Sequence, residues 1–135
     1  MLTIISFLFV LSLLVVVHEL GHFTVAKLFG IGVEKFSIGL PPRLFGWKIG
    51  ETEYLVSAIP FGGYVKLVGQ DDFAVVEGEP TGPRDFRGKS APARILVLVS
   101  GSVMNLVAAA AIFFLLFMTE GVPETSTKSG VVEPG

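Results

Sequence analysis

The chain has 135 residues, 51% of them hydrophobic and only 16% charged, with a mean hydropathy of +0.71. Globular domains carry roughly 25% charged residues, so the composition argues against an ordinary soluble domain. The complete lack of cysteine excludes disulfides and thiolate metal sites and leaves His, Asp and Glu as the ligands for any metal.

Residues 2–17 contain no charge, and apolar character continues through HELGH to Phe29. A bilayer core of about 30 Å takes about 20 apolar residues in a helix. Residues 1–30 therefore read as a first transmembrane helix, stopped by Gly30 and Gly32. No Lys or Arg precedes Lys27, and the apolar run ends in HELGH, which argues against a cleaved signal peptide.

Residues 31–69 change character. KFSIGL, RLFGWKI, EYLVSAI and YVKLVG are short β-type segments, separated by Pro41-Pro42, by Gly50 and by Pro60-Phe61-Gly62-Gly63. They predict hairpins that are unusually apolar for a loop, and so a sheet lying against the membrane face or dipping into it beside the first helix. A small soluble hairpin subdomain is the alternative. Residues 70–90 hold Asp71, Asp72, Glu77 and Glu79 among several Gly and Pro, the composition of a mobile, solvated loop. Ser90-Ala91-Pro92 supplies an N-cap and an early-turn proline for a second transmembrane helix over 91–119, and residues 95–118 carry no charge. Residues 120–135 are polar. The expected fold is thus a mainly α membrane protein in which a membrane-associated β-hairpin region joins two transmembrane helices.

Net charge, at −2, decides nothing, but its distribution does: nine of the ten Lys and Arg lie between Lys27 and Arg94. The positive-inside rule then puts the middle segment in the cytoplasm and both termini outside. No basic–aromatic patch or glycine loop points to nucleic acid.

His18, Glu19 and His22 spell H-E-x-x-H, and they include both histidines of the chain. Residues four apart share one helix face, so both imidazoles can hold one Zn²⁺. Glu19 projects roughly 100° away, which lets it act as general base toward a water at the metal rather than as a ligand. Sixteen residues at 1.5 Å each carry the chain about 24 Å from Leu2 to the motif, near the cytoplasmic edge of the bilayer. Ionisable groups within a membrane span, which cost about 2.5–3.5 kcal/mol each at the bilayer centre, mark function.

In the second helix, SGSVMNLVAAAA puts Gly101 and Asn105 on one face, extended by Ala108. Two readings stay open for Asn105: a hydrogen bond that joins helices in lipid, or a group that enters the metal cleft.

These segments together resemble the site-2 protease family of intramembrane zinc metalloproteases in its bacterial form, the regulator-of-sigma-E protease type. HELGH resembles its zinc motif, FSIGLPPRLFG with IPFGGYVK resembles its membrane-associated β region, and Gly101 to Asn105 is similar to its G-x-x-x-N motif. GVPETSTKSGVVEPG resembles the entry to an extracytoplasmic PDZ domain, expected over 120–135. The family usually has proline where Ser102 stands. The resemblance implies zinc on His18 and His22, Glu19 as catalytic base, and Asn105 and Gly101 in the active-site neighbourhood. It also implies that the hairpin, with Gly62, Gly63 and Tyr64, presents an extended substrate strand by edge pairing. Substrates would be single-span membrane proteins of a bacterial inner membrane.

A catalytic zinc site takes three protein ligands, and the family draws the third from an aspartate in a later transmembrane segment. The chain has no third hydrophobic span, so the third ligand is expected outside it and the chain alone is expected to be inactive. Two other classes stay open: a membrane-anchored metalloprotease with a soluble catalytic domain, and a non-enzymatic membrane adaptor with a vestigial metal site. The oligomeric state is left open by the sequence.

Overall fold

A computed structural model describes residues 1–70 and 77–121. Helix α1 spans Leu2–Leu28, strands β1 and β2 span Val33–Ile49 and Thr52–Leu67, and helix α2 spans Ala91–Glu120. Asp71, Asp72 and residues 122–135 of the PDZ entry expected over 120–135 lie outside the described residues.

Both helices are long and apolar enough to cross a membrane, and only 6% of the most apolar window of α1 and 17% of that of α2 are buried. The core helix of a soluble protein hides its apolar side chains; these helices turn Phe7, Phe9, Leu106 and Phe114 outward. That is the arrangement of an integral membrane protein, whose solvent is lipid. α1 stops where Gly30 takes φ +66. The Ile31 amide then donates to the Ala26 carbonyl and the Gly30 amide to Lys27, the paired bonds of a Schellman stop. α2 starts at Ser90 with Pro92 in its first turn, as expected, but the Ser90 hydroxyl makes no capping bond.

The helices meet at small residues. A Cβ on Gly21 would strike the Ser100 carbonyl, so α2 passes directly over the α1 backbone at that point. Below the crossing, Ala26, Ile31, Val33, Phe36, Val65, Leu67, Phe86 and Val97 form the core. Phe23 packs edge-on against Phe36 with ring centroids 5.5 Å apart, fixing the sheet to α1.

β1 and β2 form one antiparallel hairpin with repeated register shifts. Residues 35–38 pair with 63–66 on one side and also lie beside 53–56, while residues 43–49 pair with 52–57. Residues 63–67 thus form the rim nearest α1. Both Pro41-Pro42 and Pro60-Phe61-Gly62-Gly63 fall inside the strands, which corrects their reading as breaks between four segments. Glycine at 62 and 63 serves close approach rather than a turn: a Cβ on Gly62 would meet the Leu40 side chain at 2.8 Å, and one on Gly63 the Ser37 carbonyl at 2.7 Å. The hairpin reaches along α1, where the Ser12 hydroxyl donates to the Pro60 carbonyl at 2.7 Å. Ser12 stands six residues before His18, about 9 Å further along the helix, so the sheet runs beside the membrane-spanning part of α1.

Within the described part of the expected solvated loop, residues 77–84 are exposed, and the chain is tied down at Asp85 and Phe86. Asp85 is 1% exposed and accepts bonds from the amide and hydroxyl of Thr81 and from the amide and guanidinium of Arg87. Arg87 in turn donates to the carbonyls of Gly78 and Glu79. The Phe86 ring enters the core in a single 3₁₀ turn, Phe86–Gly88, and the Phe86 amide donates to Val68.

Candidate metal centre

α1 carries His18 and His22 one turn apart, with ring centroids 4.7 Å from each other. A Cβ on Gly101 would stand 2.5 Å from Nε2 of each ring. Both nitrogens therefore converge on the same point of α2, a cradle that any side chain at 101 would fill.

The opposite ring nitrogens are held by α2. His22 Nδ1 lies 2.7 Å from the Val97 carbonyl oxygen. A carbonyl can only accept, so Nδ1 carries the proton and Nε2 presents its lone pair toward Gly101. Ser100 donates to the same carbonyl at 2.6 Å. For His18 the partner is Asn105, whose Nδ2 lies 3.4 Å from Nδ1, while the Asn105 Oδ1 is buried without a partner. A half-turn of that amide lets Oδ1 accept the Nδ1 proton, which satisfies the orphaned oxygen and frees His18 Nε2 in the same way. Asn105, open between two readings in the sequence, stands beside a histidine of the motif.

Glu19 lies against the sheet rim: its Cγ would be 3.2 Å from a Cβ at Gly63. Gly62 lies over Leu40 and Tyr64 pairs with Ser37, and neither lines the clefts at the motif. Two clefts meet at His18 and Glu19. One, about 340 Å³, follows Leu11, Leu14 and Val15 along the membrane part of α1 to Asn105. The other, about 310 Å³, continues past His22 between Val65 and Leu67 of β2 and Val97 and Leu98 of α2, and is also lined by Gln70. Gln70 and the Val97 carbonyl were missed by sequence reasoning. Gln70 sits in what composition marks as a solvated loop, and a main-chain acceptor leaves no trace in residue type.

Two neutral imidazoles with their Nε2 atoms converging on a side-chain-free backbone suit a zinc ion, which takes His nitrogens in a tetrahedral set. Nδ1 protons held by fixed acceptors are what such ligands need. Among the described residues no cluster of three His, Cys, Asp or Glu is suited to hold a metal, and the Asp85 carboxylate is committed to Thr81 and Arg87.

The family profile described as Peptidase family M50 matches residues 6–133. A Clostridium perfringens protein named as a candidate zinc metalloprotease is 48% identical over 128 residues, covering 95% of this chain and 36% of its own length. A Clostridium acetobutylicum protein with the same description is 42% identical, covering 82% and 31%. Metalloprotease MmpA of Caulobacter vibrioides is 34% identical, covering 98% and 37%. The chain thus spans about a third of the length of these relatives.

Proposed function

Because the chain belongs to peptidase family M50, and within it to the site-2 protease type, we propose that it forms part of an intramembrane zinc metalloprotease that cuts single-span membrane proteins. The observation that carries this reading is the convergence of His18 and His22 Nε2 on Gly101 with Glu19 beside them at the junction of two clefts. His18 and His22 hold the zinc, and the third ligand comes from outside this chain, in keeping with its one-third share of its relatives. When bound, the zinc polarises the substrate carbonyl and acidifies the attacking water.

The chain's own residues do the rest. Glu19 accepts the proton of the water as it attacks the peptide carbonyl, then delivers it to the departing amine nitrogen. The Leu11–Leu14–Val15 cleft admits an apolar segment from the bilayer, and the rim of β2 at Gly63 holds it extended past Glu19. Water reaches Glu19 through the cleft that Gln70 lines. In this reading residues 31–94 face the cytoplasm of a bacterium and the termini face outward, which the clustering of Lys and Arg between the helices supports. A membrane-anchored enzyme with a soluble catalytic domain would need a polar outer face on α1, whereas apolar Leu13, Leu14 and Leu20 are turned outward around the motif.

Glu19→Gln tests this in the full-length protein. Proteolysis should fall to background while zinc content stays equal to wild type. Cleavage surviving in that variant would overturn the role of Glu19.

A further inference from the structure

Of the eight side chains that line the cleft past His22, three belong to the H-E-x-x-H motif, four are aliphatic, and the last is Gln70. We propose that Gln70 is a substrate-binding residue whose amide brackets the main chain of the peptide on the far side of the scissile bond. This rests on the protease reading above.

The placement of Gln70 is fixed by the strand before it. Val65 and Leu67 alternate along β2 and are both buried, presenting one wall of the cleft. The chain then turns at Gly69 with φ +85, where a Cβ would collide with the Asp85 carboxylate. The Gln70 amide donates back to the Leu67 carbonyl at 3.1 Å, and residues 67 and 70 form a bridge. Gln70 is thus anchored to the end of the rim strand by its backbone. Its side chain is half-buried and makes no hydrogen bond among the described residues.

The chemistry of the cleft gives this side chain one task. Val65, Leu67, Val97 and Leu98 can enclose apolar substrate side chains and offer a peptide's amides nothing through their own side chains. A peptide drawn from lipid into such a cleft brings unpaired N–H and C=O groups with it. A carboxamide has a donor and an acceptor at one tip and can meet one of each. It is neutral, so it does not compete with Glu19 for protons or with the histidines for metal. The ligand class is an extended, apolar peptide, recognised through its main chain at this position rather than by a particular side chain.

The test uses the full-length enzyme in detergent with a panel of synthetic single-span peptides, each with a Leu-, Ala- or Gly-rich span of about 20 residues. Wild type, Glu19→Gln, Gln70→Ala and Gln70→Met are compared for kcat, KM, zinc content and unfolding temperature. Both Gln70 variants should raise KM about three- to tenfold, as expected for a lost neutral hydrogen bond, with zinc content and unfolding temperature unchanged. Gln70→Met keeps the length of the side chain, so a KM unchanged in that variant overturns the proposal. Independently, Gln70→Cys in the Glu19→Gln background should form a disulfide with a cysteine placed just past the scissile position of the peptide; this segment has no cysteine of its own. Failure of that cross-link while wild type cleaves also overturns it. If wild type, loaded with zinc, cleaves none of the panel, the protease reading falls first and Gln70 falls with it.

Discussion

Gly101→Ala is a one-carbon change whose two possible effects have opposite signs. In an unpacked helix interior the substitution stabilises by roughly 0.8–1.0 kcal/mol, because glycine is the poorer helix former. Against the histidines it does the reverse. The new methyl would stand 2.5 Å from Nε2 of both rings and 2.7 Å from His18 Cδ2, about 0.8–1.5 Å inside the normal contact distance of about 3.5–4.0 Å. Receding would pull α2 off α1 at the Gly21–Ser100 contact and lose the packing there. The imidazoles must therefore turn away or the helices part, and overpacking of this kind costs about 1–3 kcal/mol. Metal ligands hold their distances to within about 0.2 Å, so the cost falls on zinc binding and should weaken it about 5- to 150-fold. Competition against a fluorescent chelator, with the full-length protein, measures this directly. Ser102→Ala, at the exposed neighbour, is the control and should bind zinc as wild type does. Zinc affinity in Gly101→Ala equal to wild type would refute the reasoning, because it would mean that the two nitrogens do not converge on residue 101.

Two further predictions concern the frame around the site. Glu51, in the hairpin turn, has its carboxyl held at about 2, from an ordinary 4.5, by hydrogen bonds from Arg84 and then Lys27. A depressed value means that the ion pair supports the fold fully above pH 4.5 and loses that support as the pH falls toward 2. The gap in unfolding temperature between wild type and Glu51→Gln should close across that window, and it should also shrink in about 1 M salt because all three side chains reach solvent; a gap independent of pH would contradict the pairing. Asp85 is likewise kept well below the usual carboxylate range, first by the Arg87 guanidinium and next by the Thr81 amide. Asp85→Asn should make residues 77–89 cleave faster under limited proteolysis, whereas an unchanged rate would show that Phe86 alone holds the segment.

Periodicity is local, and that is why the motif could be read from the chain. His18, Glu19 and His22 fix their own relation once the helix is granted, and sixteen uncharged residues before them grant it. The Gly101–Asn105 face was visible for the same reason, although the sequence alone could not choose between helix contact and cleft. The β segments were legible from their branched and aromatic residues, but the function of Gly62 and Gly63 was not: turn and close approach demand the same residue, and only the Leu40 side chain and Ser37 carbonyl decide between them. The burial of Asp85 leaves no local sign in the sequence: it depends on Arg87 folding back over the carboxylate. Gln70 depended on the meeting of β2 with α2 across nearly thirty residues of sequence, a tertiary fact with no local pattern.

The acceptor that orients His22 is the carbonyl of Val97, and every amino acid brings the same carbonyl. Substitution at 97 can alter the packing there but cannot delete the acceptor, so this part of the metal site is protected from point mutation in a way that Asn105 is not. The two histidines therefore differ in evolutionary exposure: one depends on a side chain that a single base change can remove, the other on the peptide bond itself. A scan of α2 by side-chain replacement would register the first dependence and pass over the second.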